Sequence, residues 1–106
     1  MKVIKHYING KYCDGGERVS NVFNPATGEV ISKVQLGDAN VVKEAVDISI
    51  KVLEGWRQTT PAKRASIMFN YKKLLEDNAS IIAELVSKEH GKTIEDAKGS
   101  LQRGLE

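Results

Sequence analysis

The hydrophobic pattern changes period at Gly37, and this change constrains the fold more than any other feature. Before Gly37, apolar residues come in short runs broken by turn residues. After it they recur at spacings of three and four, the mark of amphipathic helices. Residues 6–8 read as a short strand, Asn9-Gly10 as a hairpin turn and residues 11–13 as the return strand. Asn-Gly suits a type I′ turn because both central residues need positive φ. Asp14-Gly15-Gly16 signals a second turn, and residues 18–24 read as a third strand. Asn24-Pro25-Ala26-Thr27-Gly28 is a strong turn, since Pro fixes φ and Gly permits a positive one. Residues 29–36 resume as a strand. We expect residues 1–37 to form a small antiparallel β-arm.

Residues 38–106 read as helical. Asp38 is placed to cap the first helix. Val42, Ala45, Ser49, Leu53 and Trp56 form its apolar stripe, with Trp56 as a core anchor. Thr60-Pro61 starts a second helix, a cap residue followed by Pro at the first helical position. Its stripe is Ile67, Met68, Tyr71, Leu74 and Leu75. Asn78 is a candidate to cap a new helix, so residues 61–90 form either one bent helix or two. Gly91 fits the left-handed position that ends a helix. Thr93-Ile94-Glu95-Asp96 resembles a capping box, with Asp in place of Glu. Ile94, Ala97, Leu101 and Leu105 carry the last stripe.

These elements make the chain α/β. The last helix has no stop signal, and its apolar pattern is still running at Glu106. The strands and helices also lack an obvious shared core. A chain of this size buries only about 60–70% of its unfolded surface even when complete. We therefore expect the beginning of a larger protein.

Composition narrows the partners. Sixteen Lys and Arg against fourteen Asp and Glu leave a net charge of +2. That balance points to neither nucleic acid nor an anionic membrane. No apolar run approaches the roughly 18–20 residues that span a bilayer. Met1 to His6 lack the apolar core of a signal peptide. The single cysteine, Cys13, can form neither an internal disulfide nor a structural zinc site, and points to a reducing compartment.

The chemistry-bearing residues are few. Cys13 lies beside a turn, with no helix N-terminus or neighbouring His in sequence to activate it, and reads as a hairpin residue. His6 and His90 stand far apart, without metal-ligand spacing. His90 suits a helix C-terminus when protonated. Gly91-Lys92-Thr93 imitates the end of a phosphate loop but follows a helix instead of a strand. At about 100° per residue, Asp96, Gly99, Ser100 and Arg103 share one helix face. That face is either a solvated polar surface or a binding surface. Small Gly99 and Ser100 permit close approach, and a guanidinium suits bidentate capture of a carboxylate. The pattern alone leaves both open.

One resemblance covers essentially the whole chain. His6-Tyr7-Ile8-Asn9-Gly10-Lys11, Phe23-Asn24-Pro25-Ala26-Thr27-Gly28-Glu29-Val30, Trp56, Arg64 and Glu89-His90-Gly91-Lys92-Thr93 occur in the order found in the aldehyde dehydrogenase superfamily. Residues 89–99, then Arg103-Gly104-Leu105-Glu106, with Met68-Phe69-Asn70-Tyr71, resemble its CoA-acylating methylmalonate-semialdehyde dehydrogenase branch. The resemblance implies an NAD-dependent oxidation of a carboxylated semialdehyde. A cysteine thiolate attacks the aldehyde, hydride passes to NAD, and after decarboxylation the acyl group goes to coenzyme A, giving propionyl-CoA or acetyl-CoA.

It also implies that Arg103 binds the substrate carboxylate. Glu89 and the Phe23 carbonyl match a monovalent-cation site of some superfamily members, although a helix-end Glu also suits a structural ion pair. The nucleophile and the NAD and coenzyme A contacts are expected outside these residues, so the 106-residue chain alone should be inactive. Residues 38–106 should pack on the dinucleotide-binding domain of a cytoplasmic homo-oligomer. Two alternatives stay open: another aldehyde dehydrogenase without CoA acylation, and a self-contained, non-enzymatic helical interaction module.

Overall fold

The computed structural model describes residues 1–106. Its elements run β1 (Val3–Ile4), β2 (His6–Ile8), β3 (Lys11–Cys13), β4 (Val19–Phe23), β5 (Val30–Gln35), α1 (Ala39–Arg57), α2 (Pro61–Asp77), α3 (Ala79–His90) and α4 (Ile94–Leu105). They form two compact units: Met1–Phe23 with Glu29–Gln58, and Asn24–Gly28 with Thr59–Glu106.

The first unit holds two sheets. In the β2–β3 hairpin, Tyr7 faces Tyr12 and His6 faces Cys13. Asn9 and Gly10 supply the positive φ of 56° and 74° that the turn requires. The Tyr7 and Tyr12 rings meet edge to face at 5.1 Å, a favourable cross-strand pair. The second sheet has the order β1-β5-β4. β4 and β5 are antiparallel, but β1 pairs with β5 in parallel. The expected purely antiparallel arm is thus corrected to a mixed arrangement. A two-residue strand carries no periodic signal. The hairpin and β4 supply the long connection that a parallel pair needs. β5 is central and the least exposed strand, with Ser32 buried in it.

Helix α1 begins where Asp38 Oδ1 accepts the Val41 N–H at 2.9 Å. Val41, Ala45 and Ile48 are its half-buried residues. Val42, Leu53 and Trp56 from the expected stripe are each more than 40% exposed. The inward face is therefore rotated from the one that spacing suggests. Gly15 explains the choice: a side chain there would overlap Val41 Cγ2, so the missing Cβ seats Val41. Apolar residues occur on several faces of α1, and only this local fit selects among them.

The second unit is a helical array with one turn. The Asn24 carbonyl accepts from Gly28 N–H at 2.7 Å, and Asn24 Oδ1 accepts from Ala26 N–H at 3.0 Å. Thr60 Oγ1 accepts the Lys63 N–H to cap α2, and Arg64 Nε donates to the Thr59 carbonyl. Asn78 separates α2 from α3, but its side chain does not cap α3 as expected. Its Nδ2 donates to the Leu74 carbonyl at 2.8 Å, closing the end of α2. An amide carries both donor and acceptor, so either helix end can claim it. α3 packs on α4, and each helix contributes one fully buried residue, Ala83 and Ala97. Ile67, Met68, Phe69, Tyr71 and Leu74 of α2 are at least half exposed. No helix is long and apolar enough to cross a membrane.

Gly91 ends α3 at φ 90°, and an added Cβ would lie 2.9 Å from Pro25 Cγ. Gly91→Ala is expected to lower stability by about 1–3 kcal/mol, from backbone strain alone or more. Gly55→Ala, in open space on α1, is expected to raise it by about 0.5–1 kcal/mol. Urea unfolding of the two variants checks the opposite signs.

Candidate functional site

The α3–α4 turn carries the densest set of oriented polar groups in the second unit. The Gly91 N–H donates to the Ser87 carbonyl at 2.8 Å. Ser87 Oγ donates to the Lys92 carbonyl at 2.7 Å. Thr93 Oγ1 accepts the Asp96 N–H at 3.2 Å, the donor half of the expected capping box. Three successive residues are thereby fixed, and the Lys92 side chain is directed along α4. Its Nζ reaches Ser100 Oγ at 2.9 Å. From the other side, Arg103 Nη2 donates to the same oxygen at 3.2 Å.

Helical spacing accounts for the second contact, since residues three apart on a helix are neighbours. Arg103 Nη1 lies 3.9 Å from where a Cβ on Gly99 would stand, so the guanidinium passes over the glycine. Lys92 and Ser100 are half-buried, and Arg103 is exposed. Neither cation forms a salt bridge with a carboxylate of this chain. Two positive charges thus converge on one neutral oxygen. Their mutual repulsion favours an anion near them.

The other candidate residues belong to different elements. Glu89 is exposed in the last turn of α3, in the second unit. Phe23 ends β4, in the first unit, next to a register irregularity, and is 52% exposed. No three His, Cys, Asp or Glu side chains gather as metal ligands. Cys13 does face a histidine, His6, in the β2–β3 register, a pairing the linear sequence hides. His6 Nε2, however, is bonded to the Gly15 carbonyl at 2.8 Å and so acts there as a donor. The histidine is occupied in fixing the hairpin.

The residues around Gly91-Lys92-Thr93 do not fit the phosphates of NAD. Gly91 is used as a helix cap, and Lys92 is committed to Ser100. The first turn of α4 carries Glu95 and Asp96. Their charge opposes the anion that a helix N-terminus would otherwise attract. Lys92 is the site member that spacing missed; spacing placed Ser100 beside Arg103 but not its bond to Lys92. Lys92 belongs to a loop, and the link to Ser100 spans eight residues across a helix start.

Comparison with known proteins shows what the chain is similar to. Residues 12–106 match the model of the aldehyde dehydrogenase family. The whole chain is 46% identical to 21% of a malonate-semialdehyde dehydrogenase of Pseudomonas aeruginosa. It is 36% identical to 22% of malonate-semialdehyde dehydrogenase 2 of Oceanobacillus iheyensis. A crystal structure from Sinorhizobium meliloti 1021, provisionally assigned as methylmalonate-semialdehyde dehydrogenase and complexed with NAD, superposes with a TM-score of 0.96. That match has 44% identity and covers 99% of this chain and 22% of the other. The chain spans about a fifth of the length of the curated relatives it matches.

The hydroxyl of Ser87 holds the turn from which Lys92 projects. Ser87→Ala is expected to cost about 0.5–1.5 kcal/mol, the ordinary worth of one such hydrogen bond. It should also speed amide exchange in residues 91–93. Urea unfolding and hydrogen exchange measure the two effects.

Proposed function

Because the chain belongs to the aldehyde dehydrogenase family, we propose that it supplies the carboxylate-recognising part of a semialdehyde dehydrogenase. The substrate is a short aldehyde that carries a carboxylate, of the malonate or methylmalonate semialdehyde class. NAD is the oxidant and coenzyme A the acyl acceptor, with decarboxylation. Both are held by segments other than these 106 residues, which lack a fitting phosphate site. The observation that carries the proposal is Arg103, whose guanidinium lies exposed over Gly99 beside Lys92, with no carboxylate partner in the chain.

The chemistry follows from charge and shape. A planar guanidinium offers paired donors that match the two oxygens of a carboxylate. Arg103 therefore binds and orients the substrate end remote from the reacting carbon. It fixes the aldehyde for attack by a nucleophile elsewhere in the protein, and orientation of this kind is a large part of enzymatic rate enhancement. Cys13 has no part in the reaction. It closes a two-stranded hairpin, and its cross-strand histidine is bonded to Gly15.

The exposed apolar residues of α2 fit a segment that packs against the dinucleotide-binding domain. The 106 residues alone carry no turnover. The whole protein is a cytoplasmic homo-oligomer in this proposal.

The test uses the whole protein. Arg103→Ala should lower kcat/KM for malonate semialdehyde by about 10- to 100-fold, the equivalent of losing a charge-assisted bond of about 1.5–3 kcal/mol. Propionaldehyde, which lacks the carboxylate, should lose far less. An equal loss on both substrates would count against carboxylate recognition. Cys13→Ser should leave both rates as they were, and a dead enzyme would return Cys13 to the reaction.

A further inference from the structure

The carboxylate-binding role of Arg103 is the premise for a second assignment, made to residues that this role does not name. Ser100 Oγ receives Lys92 Nζ at 2.9 Å and Arg103 Nη2 at 3.2 Å. A serine hydroxyl has two lone pairs and one proton. Lysine and arginine only donate, so the two cations take both lone pairs. The one polar function left to Ser100 is its O–H, which is thereby forced to donate. A hydroxyl that could otherwise accept or donate becomes a donor selective for an acceptor-rich group.

We propose that Lys92 is a positioning residue that holds Ser100, that Ser100 in turn steadies Arg103, and that the Ser100 hydroxyl and the Arg103 guanidinium together present only donors to the substrate carboxylate.

Three observations support a built arrangement over a chance contact of mobile side chains. The Lys92 backbone is held by Ser87 Oγ at 2.7 Å, and the preceding Gly91 is held by the Ser87 carbonyl. The Thr93 cap fixes the start of the helix that carries Ser100 and Arg103. The Arg103 guanidinium lies along its own helix, with Nη1 at ordinary contact distance (3.9 Å) from where a Cβ on Gly99 would stand. A long arginine side chain on its own holds many rotamers, and ordering it on binding costs affinity. A serine anchored by a half-buried lysine removes part of that cost in advance.

The same geometry sets selectivity. A neutral aldehyde leaves two cations and a forced donor without an acceptor. Sites of this kind reject analogues that lack the complementary group. The remaining charged residue on this face, Asp96, is exposed and forms no salt bridge with Lys92 or Arg103.

The experiment compares Lys92→Met, Ser100→Ala and Ser100→Thr with Arg103→Ala in the whole protein. The readout is the ratio of kcat/KM for malonate semialdehyde to that for propionaldehyde. Lys92→Met and Ser100→Ala should each lower the ratio by about tenfold, the effect of one lost polar contact to a charged group. The change should lie mainly in KM for the carboxylated substrate, as expected for a group that binds away from the reacting carbon. Ser100→Thr keeps a hydroxyl and should recover most of the ratio.

If Arg103→Ala lowers the ratio while Lys92→Met and Ser100→Ala do not, the positioning role is overturned and the role of Arg103 stands. If Arg103→Ala also leaves the ratio unchanged, both assignments fall. Proportional losses on both aldehydes would reduce Lys92 and Ser100 to a structural pair and overturn the inference. Should Lys92→Met fail to fold, the two Ser100 variants decide the question in the same assay.

Discussion

The hydrogen bond from the Gly91 N–H to the Ser87 carbonyl is the contact on which the rest of the second unit depends. It ends α3 in a left-handed turn that other residues adopt only with strain. The turn reverses the chain so that α4 packs back on α3. That packing is close because the residues buried there are alanines, 83 and 97. A larger residue at either place would separate the helices. Lys92 then projects along α4, and Ser100 receives it. Backbone conformation, helix packing and the placement of a charged side chain thus follow from one glycine.

The distribution of burial bears on how such a chain is used. Only Ser32, Ala83 and Ala97 are buried, and no large side chain is fully enclosed. A structure that leaves Met68, Phe69 and Leu74 mostly exposed gains little from the hydrophobic term that usually stabilises folds. Its local order rests on caps instead: Asp38, Thr60, Gly91 and Thr93 each satisfy backbone groups that a helix end leaves unpaired. Caps set where helices begin and end. They do not supply a core.

This distinction explains what was legible in the sequence. Positions dictated by local backbone chemistry could be read directly. They include the positive φ of Asn9-Gly10, the Asp38 cap, the Thr60-Pro61 start and the Gly91 stop. Positions decided by a neighbour distant in sequence could not. The parallel partner of β1 is 30 residues away, at Lys33 for Val3. Val41 rather than Val42 turns inward because Gly15 leaves room for it. Asn78 serves the helix behind it: its side-chain amide adds a second donor to the Leu74 carbonyl, which also accepts the Asn78 backbone N–H. At the candidate site, helical spacing put Gly99, Ser100 and Arg103 on one face. Their meeting with Lys92 required the loop geometry as well.

A crystal structure of the whole protein with malonate bound in place of the substrate would show which side chains hold the carboxylate. One malonate carboxylate should lie within hydrogen-bonding distance of Arg103 and of Ser100 Oγ, with Lys92 Nζ still on Ser100. A carboxylate held by other residues, with Arg103 paired to an acidic side chain elsewhere in the protein, would rule out carboxylate recognition by Arg103.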